Sequence, residues 1–500
     1  MEQFAPIQSP GNDAGDNFQE QLQQSLRRAP WMAISIAFHA VLFLVLNNMI
    51  WSTSTSQESR AIQAELETED VEVIPEEPIH HEKEDPVDPE EIDDPEITEE
   101  QVDSQLEPVD DPRAPIDSNL MNRATNDILG AGGGGGGDGP AGRRRGGGGG
   151  AKAAEAVTDG LDWLHRHQES DGFWDCDDFN RNSTSPLNDG RGNAMHDVGV
   201  TGLALLAFLG AGHTSESGKY RDDVKKGLRW LITQQDREDG CFGAKSSPQF
   251  VYGHALATLA MVEAYHLSGA PLLRRPAQQG VHFIHRARTP YSGWRYDYPP
   301  EGRADVSITG WMLFALHAAE EAGLDTDKSA ISDGMAFIHK MTDSIGRTGY
   351  KETGTTPARD GDNKDHWPAE YSESMTAVGC LCRIFDGEEP ENSEQLRMGA
   401  DLLKRKLPRW DEAKGCIDFY YWYYGSYVMW QMGGRHWKQW QTAMLPSIID
   451  HQLDSDGDEQ GSWNPQVDPW GKDGGRVYST AINILCLEVY YRYDHIMGSR

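Results

Sequence analysis

The chain has 500 residues, with 45 Lys and Arg against 80 Asp and Glu, for a formal charge of −35. It is too long for one ordinary domain, and its 53 glycines are too many for a uniformly globular protein. So acidic a chain repels nucleic acid and anionic lipid surfaces, which excludes both as partners for its bulk.

In chain order, residues 1–30 form a polar tail ending in Arg27 and Arg28. Residues 31–51, WMAISIAFHAVLFLVLNNMIW, are a nearly unbroken apolar run with Trp31 and Trp51 at its ends. That length spans a bilayer, and tryptophan favours the two interfaces. The arginines keep the tail cytoplasmic, so the remainder is expected in the periplasm, anchored to the inner (cell) membrane by a single pass. A cleaved signal peptide is the competing reading. The length of the run, its NNMIW end and the 30-residue tail before it favour a retained anchor.

Residues 52–150 are expected to be a disordered tether. The first part is dominated by Glu, Asp and Pro, as in VIPEEPIHHEKEDPVDPEEIDDPEITEEQVD, and like charge with low hydrophobicity prevents a core. The second part, GGGGGGDGPAGRRRGGGGG, reads as a flexible hinge. Its Arg143, Arg144 and Arg145 either solubilise the glycine run or fold back on the acidic tether.

From residue 151 the composition becomes globular and a repeat appears. DGLDWLHRHQESDGFW at residues 159–174 is partly copied as KGLRWLITQQDREDGCFG at 226–243. Gly, an aromatic-Leu pair, Gln and Asp-Gly fall at the same offsets. Fainter copies begin QGVHFIHRAR, DGMAFIHKMT and MGADLLKRKL, and a sixth unit begins LPSIIDHQLD. Each starts an amphipathic helix, with Leu161, Trp163 and Leu164 on one face of the first. A stretch apolar nearly all round follows each one, and such a helix must be buried on both sides. Six hairpins, outer amphipathic and inner apolar, hide their faces by stacking. The last stretch, from Ser479 to Tyr491, is as apolar as the others and lacks the polar cap that an open stack needs. The prediction is therefore an all-α, α/α toroid of about twelve helices over residues 151–500.

The Gly–aromatic-Leu–Gln–Asp-Gly–aromatic pattern resembles the QW-type repeat of squalene cyclases and protein prenyltransferase β subunits. It is strong in units one, two and six and eroded elsewhere, where Arg288 and Thr342 stand at the Gln offset. Gln168 and Gln235 lie near outer-helix ends, where an amide can satisfy orphan backbone groups. The motif is thus expected to staple neighbouring hairpins.

The resemblance implies a place to look for catalysis. Cyclases carry a D-x-D-D acid at the start of an inner helix. Here Asp175-Cys176-Asp177-Asp178 falls in a loop about twenty residues early, as an acidic loop or a weak cation site. The Asp, Cys and His that hold zinc in prenyltransferases find no counterpart: Cys380 and Cys382 point to different faces, and no His follows Cys416 at the family's offset. No metal or cofactor is expected. A bridge between Cys176 and Cys241 is conceivable from their equivalent loops.

The inner helices begin with polar residues whose starts should converge on one opening: Asp197, Asp305, Glu373, Asp418 and Arg476, with His196 and His254 nearby. Helix capping is the plain alternative for the acids. The fifth inner helix carries Tyr421 and Tyr424 in the most aromatic stretch of the chain, either lining a pocket or filling the core. The expectation is a domain that binds a lipid-like or peptide ligand in its central cavity; an enzyme of the terpene cyclase or prenyltransferase type is the alternative.

A second signal lies in the anchor, where Ser35 and His39 share one helical face. An ionisable residue at bilayer depth is costly and points to function. Ser-x-x-x-His in a lone N-terminal span before a Pro/Glu tether resembles the TonB energy-transducing protein, and implies an ExbB/ExbD-like proton-channel partner at Ser35 and His39. The missing Lys-Pro stretch and TonB-type C-terminal domain depart from that pattern.

Overall fold

The computed structural model describes residues 148–183, 190–247, 249–355, 359, 363–455 and 457–492. The expected tail, anchor and tether, with Ser35 and His39, lie outside these residues apart from the first turn of the first helix. No helix among the described residues is long and apolar enough to cross a membrane.

Twelve α-helices of eight residues or more alternate between an outer and an inner layer among the described residues. The outer helices are α1 (Gly148–Arg166), α3 (Arg221–Thr233), α5 (Pro271–Arg286), α7 (Lys328–Met341), α9 (Glu394–Lys404) and α11 (Gly434–Ile449). The inner ones are α2 (Asp197–Gly210), α4 (Phe250–Ser268), α6 (Val306–Glu321), α8 (Ser374–Phe385), α10 (Phe419–Met432) and α12 (Gly471–Arg492), the last broken near its start by a kink at Gly475, φ +62°. No β-strand occurs among the described residues beyond two isolated bridges in the repeat turns.

Inner helices are apolar on every side because they touch both layers. In α4, every residue from His254 to Ala264 is buried. Each inner helix packs on the next around the ring, from α2 through α4, α6, α8 and α10 to α12, and α12 packs back on α2. The outer layer closes in the same way, with α11 against α1. The ring is closed, as the apolar last helix predicts.

The repeat motif closes it. The Gln168 amide donates to the carbonyl of Gly172 in its own turn and to that of Asp223 in the next outer helix, both at 2.8 Å. Gln235 does the same with Gly240 and Pro276 at 3.1 and 2.9 Å. Gln452 does so with Gly461 and Ala156, both at 2.8 Å, which ties the sixth unit to the first. The amide therefore serves carbonyls on both sides. At the eroded offset, Arg288 instead reaches Asp333 of α7 at 2.8 Å, while the hydroxyl of Thr342 stays within its own unit.

The turn glycine is required twice over. Gly172 has φ +101°, and a Cβ there would lie 2.5 Å from the carbonyl oxygen of Lys226. The closing tryptophans Trp174, Trp294 and Trp463 are fully buried, and each donates its indole N–H to a carbonyl near the end of its own outer helix at 2.8 Å. All six cysteines are free and buried. The conceivable Cys176–Cys241 bridge is absent: the Cys176 thiol donates to the Asp473 carbonyl, and Cys241 packs in its own turn.

Candidate functional site

The inner helices enclose a central cavity of about 480 Å3, within the range that takes drug-sized ligands. All six contribute to its wall: Val200 and Leu203 from α2, Tyr252 and Leu256 from α4, Trp311 from α6, Met375 from α8, Tyr420 from α10, Tyr478 and Ile482 from α12. Most of these lie in the first two turns, so the N-terminal ends of the inner helices gather at this cavity. Loops between outer and inner helices add Tyr296, Tyr350 and Trp470, with Arg295, Lys351 and Arg359.

Its floor is tied across the ring. The Ser307 hydroxyl of α6 bonds Tyr420 of α10 at 3.1 Å and Tyr252 of α4 at 3.3 Å. The Trp311 indole N–H donates to the Tyr252 hydroxyl at 2.7 Å, and its ring stacks on Tyr423 with centroids 5.7 Å apart. Helices α6 and α10 are separated by α8 in the ring, so these contacts fill its centre with side chains. Burial pushes the Tyr252 hydroxyl up to about 12, so it stays protonated and can serve as a donor.

The expected site residues sort into wall supports and core. Asp305 stands directly behind the wall. One oxygen caps α6 by accepting from the Ile308 N–H at 3.1 Å, and the other accepts from Arg295 at 3.1 Å and the Tyr350 hydroxyl at 3.3 Å. Burial raises its carboxyl to about 6, against the lowering pull of its hydrogen bond to Ile308 and of Arg295. Asp418 caps α10 through the Tyr421 N–H and accepts from Ser372 and Arg359. Glu373 is gripped by Arg347 through two contacts, at 2.8 and 3.2 Å. These acids work on helix starts and arginines one layer behind the cavity.

Of the remaining five, four leave the opening altogether. His254 is fully buried: Nδ1 accepts from the Phe242 N–H at 3.0 Å, Nε2 faces the Gly280 carbonyl at 3.2 Å, and burial pushes the ring down to about 3. It takes the place that Thr201 and Thr309 hold in other units, bonding the N–H of Trp174 and of Trp294. Tyr421 points outward to carbonyls of Leu403 and Lys406. Tyr424 lies beneath the wall, its ring 4.8 Å from Tyr420 and 5.4 Å from Trp311. Arg476 turns to Ser462 and Glu459, both at 3.2 Å. Helical register explains the tyrosines, because Tyr420 alone of the three stands where α10 meets the cavity.

Asp197, the first residue of α2, accepts from the Cys176 N–H at 2.9 Å and so faces the D-x-D-D loop. Oxygens of Asp175, Asp177 and Asp197 lie within 4.8 Å of one another. Burial chiefly, with repulsion from the other two, raises Asp197 to about 7. Within that loop Asp175 accepts from the N–H groups of Asp177 and Asp178, which closes a turn.

Sequence reasoning missed Arg295, Tyr296, Tyr350, Lys351, Arg359, Trp470 and Lys472. A usable signal existed: Arg295 and Tyr296 directly follow the closing Trp294, and Tyr350 and Lys351 follow Thr348 at the same turn.

The helix order and its closure define the class, an α/α toroid. No family model matches the chain, and no curated protein matches it. Solved structures that resemble it include the type II terpene cyclase MstE from Scytonema, at 11% identity and a TM-score of 0.45 over 69% of this chain and 98% of that one. The alpha-1,6-mannanase GH76A of Salegentibacter sp. HEL1_6 matches at 12% identity and a TM-score of 0.47, over 69% of this chain and 99% of that one. An unsaturated glucuronyl hydrolase specific for heparin matches at 14% identity and a TM-score of 0.47, over 69% and 97%.

Proposed function

We propose that the toroid is a binding domain whose central cavity takes a lipid-like molecule. The observation that carries this is the wall itself: aliphatic Val200, Leu203, Leu256 and Ile482 stand among Tyr252, Trp311 and Tyr420 in a space sized for one small ligand. Attachment to the membrane through residues 31–51, and coupling to an ExbB/ExbD-like partner through Ser35 and His39, belong to the same reading and rest on the sequence alone. Titration of the full chain in a nonionic amphipol with farnesol, an isoprenoid alcohol, tests the cavity. Trp311 and Trp470 line it, so tryptophan emission should change saturably at one site. Val200→Phe, which grows into the space, should weaken the effect at least tenfold. A linear response, or one indifferent to Val200→Phe, argues against the reading.

One observation favours a second reading, an enzyme of the terpene cyclase or prenyltransferase type. The Asp305 carboxyl, raised to about 6, connects through the Tyr350 hydroxyl to the Tyr296 hydroxyl at 3.1 Å, on the cavity wall. A carboxyl raised by burial and joined to a cavity by hydroxyls is suited to moving a proton. Turnover of a polyprenyl diphosphate that Asp305→Asn abolishes would favour the enzyme; binding without turnover favours the first reading.

A further inference from the structure

We infer that the chain pairs with a second copy of itself through a self-complementary charged patch on the outer layer, where acids of α1 meet bases of α3 in the other copy. The inference is independent of what the cavity holds, because none of the residues in the patch lines it.

The patch consists of two neighbouring outer helices of opposite sign. On α1, Glu155 and Asp159 are exposed one turn apart, with Asp162 half-buried on the same face. On α3, Arg221, Lys225 and Arg229 are exposed at the same four-residue spacing. Within the chain only one end of each row is satisfied. Asp162 takes Lys219 at 2.6 Å, and Arg221 faces its neighbour Asp222 at 3.4 Å. Glu155, Asp159, Lys225 and Arg229 have no ion-pair partner among the described residues. Burial first, then Glu155 and Asp162, raises the Asp159 carboxyl, with Arg166 opposing. Arg166 itself is turned to the Gln460 carbonyl at 2.7 Å.

The fold keeps the two rows apart inside one chain. Outer helices all run the same way, since each is followed by an inner helix that returns. Helix α3 starts beside the end of α1, where Asp223 meets His165 through its carboxylate and Gln168 through its carbonyl, both at 2.8 Å. Lys225 and Arg229 therefore lie past the end of α1, whereas Asp159 stands more than two turns before Gln168, about 13 Å back along the axis. A second copy removes the offset. A twofold axis through the wall between the helices lays α1 against α3 of the other copy in the opposite direction. The spacing then fits in register, with Asp159 opposite Lys225 and Glu155 opposite Arg229, and the same two pairs again by symmetry. Such a contact uses both rows of both copies and closes as a dimer, while a parallel arrangement would leave a row open on each copy and continue into a chain. Exposed ion pairs contribute little each, so the contact sets register and orientation in a weak, salt-sensitive dimer.

Zero-length carbodiimide cross-linking tests the contact, using the full chain in nonionic amphipol with heavy-nitrogen-labelled and unlabelled protein mixed. At low salt Lys225 should join Asp159 or Glu155, in peptide pairs that link a labelled chain to an unlabelled one. Sedimentation should show the dimer weakening about tenfold as salt rises. The variant Lys225→Glu/Arg229→Glu makes the patch wholly acidic, and Glu155→Lys/Asp159→Lys makes it wholly basic. Each should sediment as a monomer alone, and an equal mixture of the two should restore the dimer, which a folding defect in either would not do. Absence of the labelled–unlabelled cross-link overturns the inference, as does a dimer that survives either charge reversal or a mixture that stays monomeric. A cross-link from Lys225 to an acid outside α1 would put a different acidic segment on α3, and overturns it as well.

Discussion

At the residue scale, single polar side chains hold neighbouring hairpins together. The clearest is Gln452, whose amide joins the last unit to the first. Gln452→Ala leaves two carbonyls without that donor and should lower unfolding free energy by about 1–3 kcal/mol, read by urea denaturation. Gln168→Ala should cost a similar amount, because it makes the same pair of bonds. A Gln452→Ala variant as stable as the parent would show that the closing staple is ornamental. Buried histidines give the chain a pH dependence. Burial pushes His167, His213 and His317 down to about 4 and His254 to about 3. In the unfolded chain each titrates near 6.5, so the unfolded state gains protons first as pH falls below that value. Their contribution is full above about pH 6.5 and is lost as pH drops toward 4. Asp305 and Asp197, raised to about 6 and about 7, act in the opposite sense over nearly the same window, since burial favours their protonated forms. Asp468, fully buried and raised further, adds to the carboxyl side, while His196, His266, His285 and His339, also lowered by burial, add to the histidine side. With the histidines prevailing, melting followed by circular dichroism should show a lower midpoint at pH 4.5 than at pH 7. A higher midpoint at pH 4.5 would mean that the carboxyls dominate.

At the element scale, the sequence made the hairpins legible and left their lining obscure. Amphipathic spacing announces outer helices, and unbroken apolar stretches announce inner ones, because burial on one side or two leaves different patterns. What a periodic pattern does not reveal is which residue of a buried helix faces a hole and which faces a neighbour. Tyr420, Tyr421 and Tyr424 look alike in sequence; the cavity, the outer layer and the core each receive one. The polar helix starts were visible too, yet Asp305 and Asp418 act as caps and ion partners, as the capping alternative holds. Asp418→Ala would remove the α10 cap and the carboxylate facing Arg359 together. It should destabilise the domain by about 3–5 kcal/mol, as breaking a buried pair does. Asp418→Asn, which keeps the capping oxygen, should cost less. Equal losses for Ala and Asn would assign the effect to the ion pair rather than to the cap.

For the whole molecule, closure is the property from which the cavity follows. The sequence signalled closure through an absence, since the last helix lacks the polar face an open stack requires. The sign of the cavity was hidden for a physical reason: its cations, Arg295, Lys351 and Arg359 from loops and Lys472 from the first turn of α12, are scattered along the chain, and only the ring brings them together. Hydrogen exchange of the full chain tests closure most directly, because it reads the protection of each helix separately. In a closed ring α1 and α12 cover each other, so their central amides should exchange as slowly as those of α4 and α6. In an open stack both would be end units, and fast exchange confined to α1 and α12, with α4 and α6 protected, would contradict the closed toroid.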